Sequence, residues 1–164
     1  MHLTDKQNAE VEATIIKSKQ HFNAGDYSRA IDVYRVTFAR HPENQKLLNH
    51  YIKTLEDMRQ VADRGFGKKD FNLAGRTYYI LLKNYSHFKK FSQSLSFDTG
   101  FLNARVTECR TYFSRRGLEQ YRKRNFNEAI SIWNNLLFFD PDNAYVRNAI
   151  DTTTVQLKTL EEKK

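Results

Sequence analysis

The sequence has few of the residues that interrupt helices or cross-link chains. Its 164 residues include one cysteine, two prolines and six glycines. The single cysteine, Cys109, excludes an internal disulfide and a metal site built on several thiolates. No apolar run approaches the ~20 residues of a membrane-spanning helix. Scarce glycine and proline favour helix throughout, and the 40% apolar and 13% aromatic content excludes a disordered composition.

The length and the N-terminus set the expected organisation. A chain of 164 residues suits one domain with its own hydrophobic core. The N-terminal segment lacks the apolar core of a signal peptide, so the default expectation is the cytoplasm. Removal of a leader or an anchor from a longer precursor would instead fit the bacterial periplasm or envelope.

Residues that carry catalytic chemistry are hard to find in the sequence. Catalysis needs convergent groups, such as a nucleophile beside a base or paired carboxylates, and no such constellation is present. We therefore expect no enzymatic activity, no cofactor and no metal ion. The five histidines lack the paired spacing of metal ligands on a helix. Cys109 is interpreted as a small buried hydrophobic residue, and a reactive thiol activated by Arg105 and Arg110 is the alternative.

The N-terminal quarter of the chain contains two helical patterns separated by a turn. Apolar residues keep a helical spacing over Val11–Phe22 and again over Tyr27–Phe38. Between the two patterns, Gly25 can adopt the positive φ that ends a helix, and Asp26 can cap the next helix. Pro42 ends the second helix because it lacks an amide donor.

The same pattern recurs twice along the chain. Residues 121–141 align without a gap with residues 22–42, and Asn125 takes the capping position. A weaker copy spans residues 66–86, where Ser86 replaces the closing proline. This is an internal repeat. The residues at its signature positions are Gly25, Tyr27, Ala30, Tyr34 and Pro42, then Phe71, Ala74 and Tyr78, and finally Gly117, Phe126, Ala129, Trp133 and Pro141.

These signature residues resemble those of the tetratricopeptide repeat, a helix–turn–helix unit of ~34 residues with a closing proline. The resemblance covers about residues 8–142. It implies an all-α, right-handed helical-repeat superhelix of about seven helices, in which the signature aromatics pack between the two helices of each unit. It also implies a non-enzymatic scaffold or adaptor that holds a partner peptide, helix or domain in its groove.

The spacing of the copies departs from a regular array. The equivalent residues Phe22, Phe66 and Tyr121 are 44 and 55 residues apart, so the first helices of the second and third repeats are expected to be long. The aromatic insertion between these repeats is predicted to be an ordered loop or short helix over the groove, since a flexible linker would lack its aromatics. We expect one domain over residues 1–164, with repeats at about 8–42, 45–86 and 100–141, an insertion at about 87–99 and a capping helix at about 143–161.

Positive charge is concentrated in the middle of the chain. Residues 59–124 carry fifteen Lys/Arg against five acids, whereas the rest carries twelve against fourteen. A solvated helix surface is one interpretation, and a groove for an acidic peptide or a polyanion is the other. A second functional hypothesis is therefore a helical-repeat protein that binds RNA or single-stranded DNA through this segment. A third is an adaptor that self-assembles through its end faces into a homo-oligomer.

In the repeat family, the first helix of each unit builds the concave wall of the groove. Carried onto this chain, the resemblance places four candidate contact residues on that wall and a fifth, Arg115, beside them. An arginine there can hold a carboxylate with two hydrogen bonds, so the expected partner is an acidic protein or peptide. The candidates are Lys19, Arg59, Arg115, Tyr121 and Arg122.

Overall fold

In the computed structural model, which describes residues 4–164, the chain is all-α. Seven α-helices and one 3₁₀ segment follow one another, and the described residues form no strand. The all-α prediction with about seven helices is confirmed. The elements are α1 (Asp5–Asn23), α2 (Tyr27–Arg40), α3 (Gln45–Gly67), α4 (Phe71–Asn84), the 3₁₀ segment (Tyr85–Ser94), α5 (Thr99–Arg122), α6 (Phe126–Phe139) and α7 (Ala144–Glu162).

Side-chain caps begin most of the helices. Thr4 closes a capping box at the start of α1. Asp26 and Asp70 accept hydrogen bonds from first-turn amides of α2 and α4. Asn125 is the N-cap residue of α6, as predicted, but its side chain accepts no capping hydrogen bond. Its Nδ2 donates instead to Oε1 of Gln120 at 2.8 Å.

The first six helices pair as three hairpins, α1–α2, α3–α4 and α5–α6, which share one turn motif. We call residues 24–26 turn 1, residues 68–70 turn 2 and residues 123–125 turn 3. In each turn, the amide of the last residue donates to the carbonyl five residues earlier, at 2.9, 2.8 and 2.9 Å. The middle residue has a positive φ: 76° at Gly25, 62° at Lys69 and 64° at Arg124.

Small residues line the contact between the two helices of each hairpin. The signature alanines of α2, α4 and α6 have no exposed surface. In the first hairpin, Oγ of Ser18 donates to the carbonyl of Ala30 at 2.9 Å. Ser18 and its equivalents Ala62 and Gly117 are all buried. A Cβ added to Gly117 would overlap the indole of Trp133, so this hairpin closes only around a glycine.

Aromatic residues fill the remaining space in the hairpins. An aromatic pair spans each turn, with ring centroids 5.2 Å apart for Phe22 and Tyr27, and 5.4 and 5.5 Å apart for its two equivalents. Tyr34, Tyr78 and Trp133 are at most 4% exposed. The predicted core position is therefore confirmed for these three residues, while the turn-spanning rings are less buried.

The insertion between α4 and α5 is ordered, as predicted. Phe88, Phe91 and Phe97 are buried. The rings of Phe88 and Phe91 lie 6.0 and 5.0 Å from Tyr51 of α3, which in turn stacks on Tyr34 of α2 at 5.0 Å. The insertion thus extends the core over the contact between the first two hairpins.

Helix α7 packs on α6 through one side. Val146 and Thr153 are buried, while Ile150 and Leu157 are half-buried. The spacing of Val146 and Ile150 predicts Thr154 as the next residue of this stripe. That prediction is wrong, because Thr154 is exposed and its neighbour Thr153 takes the buried position, where its hydroxyl donates to the carbonyl one turn earlier.

Candidate protein-interaction face

The candidate contact residues lie on α1, α3 and α5, the first helices of the three hairpins. Lys19, Arg115 and Arg122 are exposed. Tyr121 is half-buried, and its ring lies 6.2 Å from that of Trp133. Three of the candidates therefore present free cationic groups, whereas Tyr121 contributes packing within the third hairpin.

Arg59 differs from the other candidates because its guanidinium is engaged within the chain. Its side chain is 25% exposed, and Nε lies 3.2 Å from Oδ2 of Asp63. Nη1 donates to the carbonyl and the hydroxyl oxygens of Ser96 at 2.8 and 2.7 Å. The guanidinium also lies 4.6 Å from the ring centroid of Phe101. Arg59 therefore holds the insertion against α3.

Glu56 completes this contact one turn earlier on α3. Its carboxylate accepts a hydrogen bond of 2.7 Å from the Ser96 amide and another from the Ser96 hydroxyl. Together, Glu56 and Arg59 satisfy both backbone polar groups of Ser96. The chain thus uses this part of α3 to bind one of its own extended segments.

Arg105 of α5 lies near the same aromatic ring as Arg59, that of Phe101, although it is not among the contact residues predicted from the sequence. Its guanidinium lies 4.2 Å from the ring of Phe66 and 5.4 Å from that of Phe101. Nη1 lies 3.4 Å from Oε1 of Glu108. The spacing of four residues between Phe101 and Arg105 signals a shared helix face. No spacing in the sequence predicts the contact with Phe66, because that residue lies on another helix, α3.

Asp63 is also committed to contacts inside the fold. It pairs with Arg59 and accepts a hydrogen bond from the hydroxyl of Tyr78. Burial, followed by the hydrogen bond to Asp63, raises the pKa of Tyr78 well above its usual value. The phenol therefore stays protonated and keeps donating to Asp63 at neutral pH.

The fifteen cations of residues 59–124 fall into two groups. Five arginines contact a carboxylate or an aromatic ring, including Arg110, 2.8 Å from Asp140, and Arg76, 3.6 Å from the ring of Phe138. The other ten are exposed and form no ion pair within residues 4–164. The unpaired cations of this span therefore do not include Arg59. These ten are Arg64, Lys68, Lys69, Lys83, Lys89, Lys90, Arg115, Arg122, Lys123 and Arg124.

The remaining reactive groups fit a packing role. Cys109 is fully buried, as predicted, and burial, followed by the charge of Glu108, raises its pKa to about 12. Its thiol is therefore protonated at neutral pH. Residues 4–164 contain no cluster of three or more His, Cys, Asp or Glu that fits a metal ion. His2 lies outside the described residues. In the same part of the chain, no helix is long and apolar enough to cross a bilayer.

Comparison with known proteins finds no matching family model, no matching curated protein and no matching solved structure. The function of the surface formed by α1, α3 and α5 must therefore be inferred from its own contacts. It offers free cations on ordered helices and turns, which suit charge-assisted hydrogen bonds to carboxylates or phosphates.

Proposed function

We propose that the chain is a non-enzymatic protein–protein interaction scaffold of tetratricopeptide-like architecture. In this proposal, the three hairpins and α7 form a short right-handed superhelix, and α1, α3 and α5 build its concave wall. The observation that carries the proposal is the recurrence of one turn motif in all three hairpins, with Ser18, Ala62 and Gly117 buried at the same register. Units of this kind stack and present an extended surface to a partner.

Contacts between alternate helices support the stacking. α1 contacts α3, α2 contacts α4, and α4 contacts α6. Arg59 of α3 also reaches Phe101 of α5. These contacts fit units that pack side by side in chain order. In the proposed arrangement, one side of α1, α3 and α5 is available to a partner.

The exposed cations of this wall are its best candidates for partner contact. Lys19, Arg115 and Arg122 have free ammonium or guanidinium groups. Arg59 is better assigned to positioning, because its guanidinium already holds Ser96. We therefore expect a partner that brings carboxylates to α1 and α5.

The test begins with affinity capture by the full chain in cells of its source organism and continues with the purified partner. Isothermal titration calorimetry should show a saturable 1:1 complex. Lys19→Glu, Arg115→Glu and Arg122→Glu should each weaken it by roughly threefold to tenfold, as expected for charge reversal at a solvent-exposed contact. Lys158→Glu, on the exposed side of α7, is the matched control. Equal losses in the wall variants and the control, or no saturable protein partner, would contradict the proposal.

Nucleic-acid binding is the second candidate function, and the ten unpaired cations favour it. The rings that span the hairpin turns pair with one another, so few are free to stack on bases. Binding would therefore depend on phosphate contacts and fall steeply with salt. Fluorescence anisotropy with single-stranded RNA and DNA, at low and physiological salt, tests this function. No binding at low salt would remove it.

A further inference from the structure

A groove lies between the start of α6 and the second half of α7, next to turn 3. It encloses about 240 Å³. Val155 and Leu160 are apolar residues of its lining, and they are 64% and 37% exposed. We call this feature the α6–α7 groove. Its lining residues are Arg124, Phe126, Val155, Gln156, Thr159 and Leu160.

Gln156, which lines the α6–α7 groove, has a polar atom without a partner. Its Oε1 is inaccessible to solvent and accepts no hydrogen bond within residues 4–164. Buried carbonyl oxygens are nearly always hydrogen-bonded in folded proteins. This oxygen can accept a hydrogen bond from the backbone N–H of an incoming chain only when the Gln156 side chain turns toward the groove.

Arg124 stands at the rim in a backbone conformation that disfavours it. Its φ is 64°, and Gly25 occupies the equivalent position of turn 1. The left-handed region costs a non-glycine residue roughly 1–2 kcal/mol, and strain of this kind concentrates at functional sites. The guanidinium forms no ion pair within residues 4–164. Turn 3 therefore keeps a free cation where a glycine would be more stable.

The charges around the groove are mixed, with a positive excess. An adjoining depression shares Arg124 and adds Lys163 and Lys164 against Glu128 and Glu161. A uniform polyanion would bring negative charge against these two carboxylates. A protein segment can place its carboxylates beside the cations alone, so the charge pattern favours a protein partner.

We propose that the α6–α7 groove docks a short segment of a partner protein that carries carboxylates next to an aliphatic side chain. The aliphatic group packs on Val155 and Leu160, a carboxylate binds Arg124, and a backbone N–H donates to Gln156. This inference rests on the proposed function. It specifies the chemistry of the partner and adds a contact outside the wall of α1, α3 and α5.

The test is an NMR titration of the uniformly ¹⁵N-labelled full chain with three synthetic peptides. The probe is Asp-Glu-Leu-Leu-Asp-Glu. Asn-Gln-Leu-Leu-Asn-Gln lacks its charge, and Asp-Glu-Ser-Ser-Asp-Glu lacks its aliphatic groups. The probe should shift the amide signals of residues 123–128 and 155–160 in a saturable manner. Each control peptide should bind about tenfold more weakly, because it lacks one of the two contacts.

Variants of the chain locate the site. Arg124→Gly removes the cation and suits the left-handed backbone, so it should fold and bind the probe about tenfold more weakly. Val155→Ser should weaken binding by about threefold through lost apolar contact. Lys69→Gly makes the same change in turn 2, and Ile16→Ser removes an aliphatic side chain that is 57% exposed on α1. Neither control should change the affinity.

Other outcomes overturn the inference. No shift of residues 123–128 and 155–160 at millimolar probe excludes the docking site. Shifts confined to α1, α3 and α5 would also exclude it, while leaving the proposed function intact. If a single-stranded RNA or phosphatidylglycerol vesicles shift the same residues regardless of Val155→Ser, the proposed partner chemistry is wrong. Failure of the proposed function is recognised separately, by the lack of a saturable protein partner in calorimetry.

Discussion

Gly117→Ala is the change that tests the architecture most directly. Gly117 is buried on α5, and a Cβ at this position would overlap the indole of Trp133 on α6. In the other two hairpins, Ser18 and Ala62 carry a Cβ at the equivalent position, and the facing aromatic residue is a tyrosine. The third hairpin therefore combines a residue without a Cβ, Gly117, with a larger ring, that of Trp133.

The expected loss of stability follows from two opposing effects. Alanine is favoured over glycine within a helix by about 1 kcal/mol. Overpacking a filled core costs about 1–3 kcal/mol, and the upper part of that range, about 2–3 kcal/mol, applies here because the added Cβ would overlap the indole of Trp133, which is only 4% exposed and has little room to move. We therefore expect Gly117→Ala to lower the free energy of unfolding by about 1–2 kcal/mol. For a domain of this size, each kcal/mol lowers Tm by about 2–4 °C.

Urea denaturation followed by circular dichroism measures the change, and fluorescence locates it. Trp133 is the only tryptophan, so a displaced indole should shift the native emission to longer wavelength. Gly67→Ala is the matched control, since a Cβ there meets nothing within 4 Å, and it should raise stability by up to ~1 kcal/mol.

A double-mutant cycle separates the clash from other effects. Adding Trp133→Tyr to Gly117→Ala recreates the combination found in the second hairpin, Ala62 with Tyr78. The pair should be coupled by roughly 1–2 kcal/mol, so that the tyrosine costs less in the alanine background. If Gly117→Ala leaves stability and emission unchanged, or if the two changes are additive, the packing and the shared register of the hairpins are wrong.

Three further predictions concern individual side chains. Lys69→Gly should raise the free energy of unfolding by about 0.5–1 kcal/mol in urea denaturation, because glycine relieves the positive φ but is more flexible when unfolded. Tyr51→Phe should raise it by about 1 kcal/mol, since the hydroxyl is buried and has no hydrogen-bond partner within residues 4–164, whereas Tyr34→Phe removes a hydrogen-bonded hydroxyl and should lower it; a loss of stability in Tyr51→Phe would contradict this reasoning. The hydrogen bond to His41 lowers the pKa of Glu10 in the folded state, so this carboxylate stabilises the fold above its unfolded pKa and loses that effect as the pH falls below it. Thermal melts should therefore show Glu10→Gln reducing Tm at pH 7 but not at pH 3, and an equal reduction at both would contradict this reasoning.

Helix positions could be predicted where spacing and turn residues agree. The first helix of the second repeat, predicted to be long, is observed as Gln45–Gly67, and Gly25 has the positive φ expected of it. Lys69 and Arg124 share that conformation although their residue types disfavour it. Only the alignment of the three copies indicates a positive φ at these two positions, because lysine and arginine rarely adopt it.

The contacts of the candidate site were much less predictable. Helical spacing places Arg59 on α3, but its hydrogen-bond partner Ser96 lies 37 residues away in an insertion without periodicity. Asn125 has a capping residue type at a capping position, yet Gln120 competes for its side chain. Pairings of this kind depend on distances between side chains after folding, which the period of a helix does not encode.

The two strained cations allow stability and binding to be tested independently. Arg124→Gly and Lys69→Gly relieve similar backbone strain, at φ values of 64° and 62°, so both should stabilise the fold to a similar extent. Only Arg124 lines the α6–α7 groove, so only its variant should bind the acidic probe more weakly. Equal weakening by both variants would indicate a general effect of net charge. Destabilisation by Arg124→Gly would show that the geometry of turn 3 is wrong, and the docking proposal would lose its basis.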